Sequence, residues 1–491
     1  MILTWLLVIP ILGGALSWAV SRNRPVARGV ALAACAAELG LGLMLWAQFR
    51  PPFAGRVIEQ RLPWIPQFGI SYHLALDGLS LLLILLTGLL GMVAVLCSWR
   101  EITRGVGAFH FALLSVLTGV AGVFLARDLV LFYLFWELML IPMYFLIGVW
   151  GHERRVYAAI KFFLFTFISS VLMLAAILAL AFLHLRDTSV LTFDAPALLA
   201  TPLPYATARW LMLGFFVAFA VKLPVVPLHT WLADAHTEAP TGGSVVLAGL
   251  LLKTGAYGML RFAIPLFPDA SADFVPAACA LGLLGILYGA LLSFAQGDFK
   301  RLVAFSSISH MGFVLLGIYA GNELARQGAV MQIIAHGAGT GALFVLAGIV
   351  QERCGTRELN RLGGLWQTAP RLGGFTLFFA VAAFGLPGLA SFVGEFLVLL
   401  GAYLVNPVWG IVGAVGFVLS LSYALRLVQE SVHGPNQAEW RIQDLAAREV
   451  LTLGALALVL LWLGLYPRRV FELADSGTAT ELASGRFREL P

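Results

Sequence analysis

Long apolar runs separated by short polar ones make up most of the chain. "MILTWLLVIPILGGALSWAV" gives way to the basic "SRNR", a second apolar run follows, and the rhythm continues to "VLTLGALALVLLWLGLY". Most runs last 18 to 25 residues, which is what a helix rising about 1.5 Å per residue needs to cross a hydrocarbon core of roughly 30 Å. The pattern predicts about fourteen spans, near 2–20, 26–48, 77–99, 107–126, 128–149, 158–184, 209–232, 241–262, 275–295, 302–321, 325–350, 372–402, 408–430 and 448–466. The first lacks a basic lead-in and a small-residue cleavage site, so it reads as a retained helix and not a signal peptide.

Composition agrees: 60% of the 491 residues are hydrophobic and 12% are charged, more apolar surface than a soluble fold of this size can hide. The fold class is therefore an all-α membrane protein. With the N-terminus outside, the inside loops carry about fifteen basic residues, among them Arg22, Arg24, Arg28, Arg154, Arg155, Lys300, Arg301, Arg353, Arg357 and Arg361. The outside loops carry about eight and the C-terminal tail four, so both termini are expected outside. This bias accounts for the net charge of +5, and nucleic acid is not implied.

Cys35, Cys97, Cys279 and Cys354 stand singly, which gives no basis for a disulfide framework, a zinc site or an iron–sulfur cluster. No phosphate loop, dinucleotide fingerprint, H-E-x-x-H or G-x-S-x-G is present. "HGAGTGALF" from His336 lies inside an apolar span with no preceding strand, so its small residues read as a close helix–helix contact. His229 and His236 lack a surrounding carboxylate cluster, and no metal site is inferred from them.

Six ionisable residues lie inside spans: Glu137, Lys222, Lys253, His310, His336 and Glu395. At mid-membrane a carboxylate or lysine costs about 2.5–3.5 kcal/mol on insertion scales. One such group can be structural, and a lone histidine is often only an interhelical hydrogen-bond partner; six on six spans point to a path for protons. Lys222 precedes Pro224 and Pro227, Glu395 follows Pro387, and Glu137 precedes Pro142. Each proline removes a backbone donor, so Ala220, Leu223, Ala383 and Leu138 are expected to keep carbonyls that face protein or internal water. The broken spans are the seventh and the twelfth, five apart, and an odd offset reverses direction through the membrane. This predicts two inverted five-helix repeats, residues 107–262 (spans four to eight) and 275–430 (spans nine to thirteen), after an N-terminal unit 1–106 and before a C-terminal helix and tail 448–491. Glu137 then corresponds to His310.

"AVKLPVVPLHTWLADAHTEAPTGGSVVLAGLLLKTGAYG", with "DGLSLLLILLTGLLG", "FWELMLIPMYFLIG", "FKRLVAFSSISHMGF", "IAHG" and "FVGEF", resembles the antiporter-like membrane subunits of respiratory complex I over nearly the whole chain. The resemblance implies fourteen helices, discontinuous seventh and twelfth spans and a hydrated central axis. It makes Glu137 the fifth-span glutamate, Lys222 the broken-helix lysine and Lys253 the central lysine. His310 and His336 become the histidines between the central lysine and the exit side, and Glu395 fills a position where sister subunits usually carry lysine. Proton translocation without a cofactor in this chain is implied, with NADH, FMN, iron–sulfur clusters and quinone handled by partner subunits of a bacterial inner-membrane complex. L-type and N-type antiporter-like subunits are the implied neighbours, besides lipid. The distal L-type subunit continues into a long lateral helix, whereas "ADSGTATELASGRFRELP" is a polar tail. The inside loop "GHERRVYAAIKFF" is shorter than in some relatives, so contacts made by that loop are not carried over. A Mrp-type sodium/proton antiporter subunit and a membrane subunit of an energy-converting hydrogenase are the alternatives, and a scaffold with inert ion pairs is the reading without transport.

Overall fold

The computed structural model describes residues 1–48, 57–436 and 438–474; the polar tail from Asp475 lies outside them. The apolar runs form helices because nothing inside them supplies a partner for backbone N–H and C=O groups other than the helix itself. In chain order these are α1 (Ile2–Ala19), α2 (Arg24–Gln48), α3 (Gly78–Glu101), α4 (Val106–Leu125), α5 (Leu129–Trp150), α6 (Arg155–Thr188), α7 (Tyr205–Lys222), α8 (Thr230–Glu238), α9 (Thr241–Leu266) and α10 (Pro268–Phe294). They continue with α11 (Phe299–Tyr319), α12 (Glu323–Cys354), α13 (Pro370–Ala383), α14 (Ala390–Val405), α15 (Pro407–His433) and α16 (Ala447–Leu465). Among the described residues thirteen helices are long and apolar enough to cross a membrane; α8, α13 and α14 are shorter pieces. The protein is thus a multi-pass membrane protein. Side-chain carboxylates and amides start several spans: Asp77, Asp128, Asp298 and Asn322 each accept a backbone N–H of the first turn.

The two interruptions fall where the prolines predict. Span seven is α7 plus α8, separated by Leu223–His229, and span twelve is α13 plus α14, separated by Phe384–Leu389. One detail differs: the Ala220 carbonyl is not left free, because the Val225 N–H reaches it at 2.8 Å. The indole N–H of Trp231 takes the Val221 carbonyl at 3.0 Å. The break therefore satisfies part of its own backbone.

Two features depart from the expected spans. Residues Ile58–Ile65 (β1) and Ile70–Leu76 (β2) form an antiparallel hairpin on the face opposite the basic loops, with Leu62 paired to Tyr72. Its turn holds Gly69 at φ +67°, where a Cβ would strike the Leu191 carbonyl. Span nine also starts at Pro268, not 275: proline needs no N–H partner in the first turn, so the polar "PDASADF" is helical.

Burial grades across the bundle. All of the most apolar stretch of α9 is buried, and nearly all of α11 and α12, whereas α1, α2, α6, α15 and α16 show most of theirs to the surroundings. The helices with Lys253, His310 and His336 are the innermost ones.

Candidate functional site: a buried acid–base axis

Lys253 sits where α9 is not regular. Leu247–Leu251 is wound as a π-helix, and this wider turn aims the Ala248 carbonyl at the Lys253 ammonium, which donates to it at 2.7 Å. Lys253 Nζ also lies 2.5 Å from His336 Nδ1 on α12. That approach depends on small residues: a Cβ at Gly337 would stand 3.0 Å from the Gly249 carbonyl and 2.8 Å from Leu86. The glycines of "HGAGTG" thus bring α12 against the lysine helix.

From His336 the polar row continues into the second half of the molecule. The His336 and His310 rings are 5.5 Å apart between centroids in an edge-to-face arrangement. A cavity of about 10 Å³ touches both, a volume at the lower limit for one water. His310 Nδ1 is 2.7 Å from Glu395 Oε1, and Tyr423 OH on α15 is 3.2 Å from His310 Nε2. Gln332, one turn before His336, donates to Glu395 Oε1 at 2.7 Å. Glu395 Oε2 and His336 Nε2 have no protein partner. A Cβ at Gly385, inside the break of span twelve and at φ +81°, would stand 3.4 Å from Glu395 Oε2; the broken helix presents backbone to the carboxylate. Lys253 and Glu395 are fully buried, His310 and His336 nearly so.

Glu137 and Lys222 belong to the other half and are arranged differently. They do not touch. Lys222 Nζ has no hydrogen-bond partner and lies 5.4 Å from the ring centres of both Trp136 and Phe162, a cation–π cradle. Glu137 is half-buried with Oε1 unpartnered, and its charge acts on Lys222 through space. Glu137 and Lys222 are thus coupled through space and not by a contact, and no hydrogen bond joins Lys222 to Lys253.

Gln332 and Tyr423 were not among the residues the sequence singled out. Gln332 had a signal, since it precedes His336 by four positions and shares its helix face; Tyr423 had only "SLSY", which looks like any small-polar helix contact. Asp77 was also missed: buried, it caps α3 and takes both Arg127, at 2.9 Å, and Arg261. Among the described residues no group of three or more His, Cys, Asp or Glu side chains is placed to hold a metal.

The profile of the transmembrane family described as NADH:quinone oxidoreductase/Mrp antiporter matches residues 126–420. NADH-quinone oxidoreductase subunit M of Pseudomonas aeruginosa is 52% identical over 488 residues, covering 96% of both chains. The chain belongs to the subunit M family of NADH-quinone oxidoreductase. Subunit M of Escherichia coli K12 is 49% identical over 97% of this chain and 96% of its own length. A chain of respiratory complex I from Thermus thermophilus, solved with bound NADH, superposes with a TM-score of 0.87 at 36% identity, over 98% of this chain and 100% of that one. Subunit M membership favours complex I over the Mrp-type alternative, and the all-α antiporter-like fold expected from the sequence is the one found.

Proposed function

We propose that this chain is a proton-translocating, redox-free module of the complex I membrane arm, and that Lys253, His336, His310 and Glu395 carry the proton through its second half. The observation that carries this reading is the row of titratable groups, in hydrogen-bond contact at Lys253–His336 and His310–Glu395 and separated only by the small cavity between the two histidines, buried where an inert protein gains nothing from them. A charged Lys253 donates to Nδ1 of a neutral His336; moving that proton leaves an amine and an imidazolium. His336 Nε2 gives up its own proton across the small cavity to His310, whose Nδ1–H already meets the Glu395 carboxylate. Glu395 then releases the proton beside the Gly385 break. Each transfer leaves the next group one proton richer, so the row conducts only in sequence.

Glu137 sets the occupancy of the other half. Opposite charges about 4 Å apart interact by roughly 4 kcal/mol at an effective dielectric of 20; at the larger separation seen here the hold is weaker, and a small movement of Glu137 changes it. Residues 107–262 and 275–430 act in this reading as two inverted units, one switched by Glu137–Lys222 and one ending at Glu395. Neighbouring L-type and N-type subunits transmit the drive, and NADH, FMN, iron–sulfur clusters and quinone reside in partner subunits. The basic face is cytoplasmic, with both termini outside. The test is proton pumping by the intact complex with Lys253→Ala: lowered pumping at normal assembly is expected, and unchanged pumping refutes the central role of Lys253.

A further inference from the structure

The basic face holds polar groups that the axis does not use. A cavity of about 310 Å³ opens there among the ends of α3, α9, α12 and α16, walled in part by Glu101, His152, Thr241 and Gln351. His152 and Gln351 also wall a wider cleft of about 680 Å³ that runs past Glu238 and Arg357. The cavity and the cleft adjoin at these two residues and together make a recess on the basic face.

At its inner wall the Glu101 carboxylate accepts the Thr241 N–H at 3.0 and 3.1 Å and acts electrostatically on Lys300. Lys300 is fully buried and donates to the Ala239 carbonyl at 2.9 Å. It is the second residue of α11, at the helix end where a positive charge is disfavoured, so burial and helix dipole both work against its charge. Three residues before Ala239, His236 is fully buried with neither ring nitrogen hydrogen-bonded, its ring stacked on Phe344 at 4.7 Å. His236 is within electrostatic range of both Lys300 and Lys253.

We propose that Glu101, Lys300 and His236 are the uptake branch that brings protons from the recess on the basic face to Lys253. The proposal rests on the axis described above. A proton taken from water by Glu101 passes to the Lys300 amine; the Lys300 ammonium gives one to His236, which passes the proton on its other nitrogen toward Lys253. Only protons move and no bond to carbon changes. A capping role for Lys300 is the competing explanation, since Arg357 already donates to the neighbouring Thr237 carbonyl at 2.8 Å and two cations at the end of α8 suit its dipole.

Lys300→Arg separates the two. Arginine keeps the charge and the donors for Ala239 but does not release a proton at neutral pH. In the intact complex, reconstituted in vesicles with NADH and quinone, Lys300→Arg is expected to assemble and to pump about tenfold more slowly or worse. A capping role predicts normal pumping, which overturns the proposal. Should the larger side chain prevent assembly, Glu101→Gln keeps an acceptor for Thr241 and loses the titratable group; the same slowing is expected, Glu101→Asp should restore part of it, and normal pumping by Glu101→Gln overturns the proposal. Lys253→Ala runs alongside. If it fails while Lys300→Arg pumps normally, the uptake branch is wrong and the axis stands; if both pump normally, the axis itself falls.

Discussion

At the scale of single residues, the proposed proton carriers Lys253, His336, His310 and Glu395 stand beside partners that are also titratable. Lys253, His310, His336 and Glu395 were legible in the sequence because a charge or imidazole inside an apolar run is costly enough to stand out. Gln332 and Tyr423 were not, since neutral polar side chains occur in any helix interface. Glu101 and Lys300 lie at span ends among ordinary loop charges, and only the packing of α11 against the end of α8 buries Lys300. Gln332→Leu removes one of two donors to a buried carboxylate and should cost about 1–3 kcal/mol, seen as a lower thermal midpoint of the purified complex. Glu137→Gln and Lys222→Ala should each reduce coupled pumping about tenfold, and the double variant should be little worse than either, because groups that act as one device lose function only once. Multiplied losses would mean two independent roles. His152, outside the spans, is lowered from its ordinary 6.5 to about 4 by burial, with Lys300 and Arg357 adding repulsion. Between those values the unfolded chain binds a proton that the folded one does not, so this group costs stability as pH falls from 6.5 to 4. His152→Asn should therefore lose less thermal stability than wild type between pH 7 and pH 5; an identical loss would show that His152 does not titrate differently on folding.

At the scale of elements, irregular backbone accompanies the buried titratable residues. The breaks of spans seven and twelve were legible from Pro224, Pro227 and Pro387, because proline's missing donor is a local property. The π-turn beside Lys253 was not, since "LAGLL" carries no proline or other local signal for a wider turn. The hairpin Ile58–Leu76 was not legible because an eight-residue strand is too short to stand out between 20-residue apolar runs, although "WIPQFG" is turn chemistry. Gly337→Val tests the close helix approach: its side chain meets Leu86 and the Gly249 carbonyl, so α12 must move off α9 at a cost of about 1–3 kcal/mol. Assembly yield should drop, and complex that does assemble should pump poorly because His336 is displaced from Lys253. A variant with full yield and full pumping would mean that the contact is not needed.

At the scale of the whole molecule, the sequence showed the class, the span count and the family resemblance, because hydropathy and membrane thickness leave few alternatives. Which helices are innermost was hidden: α4, α9, α11 and α12 are no more apolar than α5 or α6, and only assembly distinguishes them. The loop charges predict the orientation: a reporter fused after Arg301 should score cytoplasmic and one fused at the C-terminus external; the reverse would exchange the uptake and exit ends of the proposed path. The central claim is that the buried row moves protons and does not merely hold helices together. The most direct measurement is the number of protons pumped per NADH oxidised by the intact complex in sealed vesicles, comparing wild type with Lys253→Arg. Arginine keeps a buried cation beside His336 but does not hand on its proton, so the account predicts a clear fall in that ratio, or a fall in both rates together, at normal assembly. A ratio and rate equal to wild type would contradict it.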